Sequence, residues 1–174
     1  MASPQLMAGL GAVAALLLCS AGSALASATS GIFATKSPSA GVWSYAPIVI
    51  SGVLAIYGTI IAVIIQHQMS LSSSDNPLTM DEGYKLLTSG LSVGVACLCS
   101  GMGINKFIDM HMTQHSYSVT TNDEQERAPL LGGSGNNGIG GKNELPVTWT
   151  LVFTMCFLEA IGLYGLIVAL FIAG

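Results

Sequence analysis

Charge is what this chain has least of. Five Lys and Arg and nine Asp and Glu are spread over 174 residues, about 8% of the whole, where a soluble globular domain carries roughly 25%. That deficit excludes an ordinary soluble domain, and a net charge of −4 scattered over loops singles out no basic or acidic partner; nothing points to nucleic acid. Cysteine is almost as uninformative. Cys19, Cys97, Cys99 and Cys156 all lie inside apolar runs, no pair flanks an aqueous loop, and no metal-ligand spacing appears. The dyad alternation of barrel strands is missing too, which excludes a transmembrane barrel.

What is present is apolar length. Leu6 to Ala28, Ala46 to Ile65, Leu86 to Ile108 and Val147 to Ala173 are long runs, each reaching the roughly 20 residues that cross a hydrocarbon core as helix. Lipid offers no partner for backbone polar groups, so a spanning segment must satisfy its own. The expected fold is an all-α membrane protein of four transmembrane helices, arranged as hairpins over residues 6–66 and 84–173. A long flexible loop is expected at 110–146, where Gly, Asn, Ser and Thr dominate.

The first run has a competing reading. "LLLCSAGSALASA" resembles a signal-peptide core followed by small-residue cleavage sites, yet "MASPQ" supplies no basic residue ahead of it. Orientation follows the cations. Lys36 falls in the first loop and Lys106, Arg127 and Lys142 in or beside the third, against Lys85 alone near the second. By the positive-inside tendency, the first and third loops face the cytosol and both termini the opposite side.

The chain repeats itself. "GVLAIYGTIIAVII" (Gly52 to Ile65) set above "EAIGLYGLIVALFI" (Glu159 to Ile172) aligns Tyr57 with Tyr164, Gly58 with Gly165 and Ala62 with Ala169. The second and fourth helices are therefore related, and Gly52 stands where the fourth carries Glu159. The odd-numbered helices instead carry stripes of small residues. Ala8, Ala12, Ala15, Cys19, Gly22, Ala26 and Thr29 share one face of the first, and Gly90, Gly94, Cys97 and Gly101 one face of the third. Small faces let backbones approach closely in lipid, where no hydrophobic drive pulls helices together. Narrow helices packed inward and bulky ones turned to lipid suit closure of many copies into a ring.

Several motifs carry no chemistry. "GSGNNG" (Gly133 to Gly138) matches a dinucleotide fingerprint letter for letter, but no strand precedes it. "GGKN" lacks the Ser or Thr of a phosphate-binding loop, so no nucleotide site is expected. His111 and His115 share a helical spacing without a third ligand, and no metal or cofactor is expected either. "ERAPLL" resembles an acidic dileucine sorting signal, with Glu126, Leu130 and Leu131 as its determinants.

Glu159 remains to be explained. From Val147 to Ala173 the other ionisable groups are the Cys156 thiol and Tyr164, both neutral at ordinary pH. A charge at mid-bilayer costs about 2.5 to 3.5 kcal/mol on insertion scales, a cost a carboxyl escapes while protonated. Such a group is stable as the neutral acid against lipid and ionises only where water or a fixed cation meets it. That is the behaviour of a proton carrier, and the absence of a cation at matching depth implies that one arrives from another subunit.

Here the residues become recognisable. "FLEAIGLYGLIVAL" resembles the last helix of the proteolipid subunit c family of rotary V-type proton ATPases; "APIVISGVLAIYGTIIAVII" resembles the second helix, "GLSVG" the third, and Gly22 with Ser30 and Gly31 the first. The resemblance implies that the first helix is retained. It implies a rotor ring of proteolipids turning against stator subunit a, whose arginine meets each carboxyl, with central-stalk subunit d docked on the cytosolic rim and membrane lipid around it. Glu159 would carry the proton and Tyr57 would hydrogen-bond the acid, in a vacuolar or endolysosomal membrane, with no chemistry catalysed by the chain alone. Sodium-carrying relatives place oxygen ligands where this chain has Val53 and Leu54, which favours the proton. Two departures mark a divergent paralogue: "INKFIDMH" replaces the family's glycine-rich, basic segment after the third helix, and the third loop is longer. The competing readings are a tetraspan scaffold or pore without coupling to ATP, and a stand-alone proton-linked transporter.

Overall fold

A computed structural model describes residues 3–36, 38–72, 77–126 and 149–174, with the side chains of 38–41 and 115–126 outside the description. Four helices long and apolar enough to cross a membrane make up the described chain: α1 (Pro4–Lys36), α2 (Ala46–Leu71), α3 (Met80–Glu126) and α4 (Trp149–Ala173). A short 3₁₀ segment, Pro38–Tyr45, joins α1 to α2. The chain is a multi-pass membrane protein.

Local chemistry sets the helix starts. Ser3 accepts from the Leu6 amide at the head of α1, and Pro lies in the first two positions of α2, where its missing N–H costs nothing. At α3, Thr79 and Glu82 form a reciprocal capping box: the Thr79 amide donates to Glu82 Oε2 at 2.8 Å, and the Glu82 amide to Thr79 Oγ1 at 3.4 Å. Asp81 pairs with Lys85 at 3.1 Å one turn along.

One expectation is corrected. The polar stretch from Met110 was expected to be loop, yet α3 continues without a break to Glu126. No Gly or Pro lies between Gly103 and Pro129, so nothing interrupts the backbone hydrogen-bond ladder until a proline disfavours it. At 47 residues α3 is about 70 Å long, roughly twice a hydrocarbon core.

The centre of the bundle is the contact between α1 and α3. Gly83 closes on Pro4, Gly90 on Gly11 and Gly101 on Gly22, the same displacement along the chain each time, so the two helices run parallel in one register. A methyl added to Gly90 would fall on the Gly11 carbonyl oxygen, and one on Gly22 on the backbone of Cys97. Gly94 belongs to the same seam, facing the Leu18 side chain. Of the small residues expected on one face of α1, Ala8, Ala15, Cys19, Gly22 and Ala26 are buried, joined by Gly11, Ser23, Ser30 and Phe33. Phe33 stacks tilted on His111 of α3, ring centroids 6.2 Å apart.

The related helices α2 and α4 flank this seam. Gly58 of α2 seats against Ala15 and Cys19 of α1, and its counterpart Gly165 of α4 against Ser92, Val93 and Ala96 of α3. Each half therefore repeats one packing solution. The outward faces carry Val49, Ile56 and Val63 on α2 and Phe153, Phe157 and Phe171 on α4, all well exposed, as surfaces that meet lipid require. Trp43 and Trp149 meet edge to face at 5.5 Å where the loop ends of the two halves adjoin.

Candidate functional site

Glu159 sits half-buried on α4, and the half-buried Tyr57 of α2 donates its hydroxyl proton to Glu159 Oε1. The bond joins one half of the repeat to the other. It forms because the neighbouring turn of α4 has no side chain: a methyl at Gly162 would lie 2.8 Å from Leu54 Cδ2, 3.6 Å from Cys97 Sγ and 3.7 Å from Tyr57 Cδ2. Glycine there lets α2 lean in until the phenol reaches the carboxyl.

The turn is also tied from the α3 side. Ser100, fully buried, donates to the carbonyl oxygen of Leu158 at 2.5 Å, and Ser89 donates to the Ala169 carbonyl at 2.7 Å. Between them Gly165 meets Val93 and Gly162 meets Cys97. As α3 is climbed α4 is descended, so these two helices are antiparallel in fixed register. Sequence reasoning missed this feature; the available signal was a serine inside an apolar run, Ser100 between Cys99 and Gly101.

Around the carboxyl the ionisable company is thin. Tyr57 comes from α2 and the Cys97 thiol from α3, with the Cys19 thiol of α1 beyond it, donating to the Val93 carbonyl at 3.7 Å. Among the residues with described side chains, Lys36, His67 and Lys85 lie near helix ends, and Lys106 and His111 lie on α3 six and eleven residues past Ser100. No group of three His, Cys, Asp or Glu residues that would hold a metal ion occurs among them. Val53 and Leu54 bring carbon, and Leu54 is fully buried against Gly162. The arrangement offers one carboxyl, one phenol donor and an apolar surround, which can hold and release a proton and has no oxygen cage for a hard cation.

Other residues singled out from the sequence lie elsewhere. Gly22, Gly90, Gly94 and Gly101 line the α1–α3 seam. Glu126 is the last residue of α3, while Leu130 and Leu131 lie outside the described residues, as do Arg127, Lys142 and the "GSGNNG" segment. His111 is half-buried with its Nε2 unpartnered.

No protein-family model matches the chain. Among known proteins it is similar to the V-type proton ATPase subunit c′ of Saccharomyces cerevisiae, 33% identical over 164 residues that cover 92% of this chain and 82% of that one. The Candida glabrata subunit c′ is 32% identical over the same shares. The human V-type proton ATPase 16 kDa proteolipid subunit c is 28% identical over 94% of this chain and 88% of its own.

Proposed function

The chain belongs to the V-type proton ATPase proteolipid family, and from that premise we propose that it moves protons from the cytosol to an organelle lumen on Glu159. As a proteolipid of this family it is a proton-translocating subunit of the rotor ring and hydrolyses nothing alone. The ring is built with other proteolipid copies. The partners are stator subunit a, whose arginine supplies a cation to Glu159, and central-stalk subunit d at the cytosolic rim.

In this reading the carboxyl is protonated from a cytosolic half-channel and held by the Tyr57 hydroxyl while it faces lipid. It travels round the arc as the neutral acid, because the anion would carry the mid-bilayer cost. On meeting the stator arginine the anion becomes the better-solvated form and the proton leaves toward the lumen. Tyr57 keeps the carboxyl from turning freely in lipid between those events. Termini in the lumen and a vacuolar or endolysosomal membrane complete the reading.

The observation that carries it is the Tyr57–Glu159 hydrogen bond within an otherwise apolar site. Vesicles from cells lacking their own subunit c, supplied with this chain or with Glu159→Gln, test it. Glutamine keeps the shape and cannot release a proton. ATP-driven acidification restored by the parent chain and abolished in an assembled Glu159→Gln ring supports the carrier; acidification by the Gln form overturns it.

A second reading has one observation of its own. The α3 extension through Glu126 occupies the end at which the central stalk would dock. A ring that assembles with either form and pumps with neither favours the uncoupled tetraspan scaffold.

A further inference from the structure

Among the α3 serines whose side chains are described, Ser89 and Ser100 are buried, and both spend their hydroxyl protons on backbone carbonyls of α4. They lie about three turns apart, as do their acceptors Ala169 and Leu158. Their surroundings differ. Ser89 ties α4 near its C-terminal end, ten residues from Glu159. Ser100 ties the carbonyl of the residue that immediately precedes Glu159.

A carbonyl has two lone pairs. Leu158 is in the middle of α4, where its carbonyl accepts the intrahelical amide one turn on, and the Ser100 hydroxyl takes the remaining acceptor position. The bond therefore acts on the backbone itself, setting both the height and the rotation of the turn from which Glu159 projects. Gly103 of α3 adds a stop, since a methyl there would lie 3.1 Å from the Leu158 side chain. On the far side Gly162 lets Leu54 and Tyr57 approach. The turn is thus clamped between a hydroxyl from α3 and a phenol from α2.

The other half of the repeat supplies a comparison. The position before Gly52, the counterpart of Glu159, is Ser51, and it is tied to α1 through side chains, Ser27 Oγ to Ser51 Oγ at 2.8 Å. Among the described residues no α1 side chain donates to its backbone carbonyl. The direct hold on the backbone accompanies the carboxyl and is missing where the carboxyl is missing.

We propose that Ser100 is the positioning residue of the proton site: by holding the Leu158 carbonyl it fixes the α4 turn so that Glu159 reaches the Tyr57 hydroxyl. The proposal rests on Glu159 as the proton carrier for its meaning, and its test reads the position of the carboxyl whether or not the ring pumps. The groups facing that carboxyl are Tyr57 from α2 and the Cys97 thiol from α3, with the Cys19 thiol of α1 behind Cys97.

The experiment uses a lipid-soluble carbodiimide, which modifies protonated carboxyls, on membranes carrying the assembled ring. The rate of Glu159 labelling is compared in the parent chain, Ser100→Ala, Ser100→Thr and Ser89→Ala at one pH. Release of the turn frees the carboxyl from Tyr57, so Ser100→Ala should label at least threefold faster. Ser100→Thr, which keeps the hydroxyl, should return toward the parental rate, and Ser89→Ala should stay within twofold of it. Should Ser100→Ala not assemble, Ser100→Cys keeps the volume with a weak donor and is expected to label faster in the same way. Labelling of Ser100→Ala or Ser100→Cys at the parental rate overturns the proposal, and so does an equal acceleration in Ser89→Ala, which would make both serines general ties of α3 to α4. Parental acidification by Glu159→Gln overturns the carrier reading alone.

Discussion

Gly101 of α3 lies so close to Gly22 of α1 that a methyl built on it would fall on the Gly22 carbonyl oxygen. Neither partner at this contact is a flexible side-chain end, so accommodation means moving a helix. Gly101→Ala should therefore part α1 from α3 and destabilise the protein by about 1–3 kcal/mol, the usual cost of overpacking. Gly31 is the control, because open space surrounds its added methyl, and Gly31→Ala should be neutral or stabilising by up to about 1 kcal/mol. Thermal aggregation midpoints of the purified proteins in mild detergent check the pair; equal midpoints would remove the seam as the source of stability.

Tyr57→Phe removes one hydroxyl and keeps the ring that packs on Gly162. Assembly should be unchanged. A hydrogen bond to a charged or chargeable group is worth about 1.5–3 kcal/mol, and each 1.4 kcal/mol is about tenfold in rate, so ATP-driven acidification should fall by roughly tenfold or more. Acidification by Tyr57→Phe rings at the parental rate would leave the phenol without a part in proton transfer.

These two tests draw on signals of different visibility. The spans, the small-residue stripes and the lone carboxyl were legible because each is a pattern within one helix. The facing of Gly22 with Gly101 was half legible: each glycine stood on a small face, while the pairing of faces depends on register between helices. The Ser100–Leu158 bond was legible only on its donor side, as a serine inside an apolar run, since its acceptor is a backbone carbonyl and every residue has one. The extent of α3 was not legible from polarity, because leaving an apolar core at Met110 ends burial but not a hydrogen-bond ladder free of Gly and Pro.

Sorting can be tested at the third loop. Replacement of Leu130 and Leu131 by Ala should redirect the protein from endolysosomal or vacuolar membranes toward the cell surface without changing its amount. The measurement is co-localisation in cells expressing tagged parent and variant. Unchanged localisation disposes of the "ERAPLL" signal and leaves the proton site untouched.

Topology follows from the cations and has a direct chemical test. All four native cysteines belong to membrane-spanning helices, so an impermeant maleimide has little background in sealed vesicles whose cytosolic face is outward. Asn136→Cys, in the third loop, should be labelled in intact vesicles. Ser74→Cys, in the loop between α2 and α3, should be labelled only after permeabilisation. The two outcomes are coupled, because an even number of crossings separates neither terminus from the other and places the second loop opposite the third. Labelling in the reverse pattern would invert the molecule: the loops beside Lys36, Arg127 and Lys142 would face the lumen, the positive-inside assignment would fail, and a proton carried on Glu159 would have to be loaded from the rim that carries the second loop and the termini.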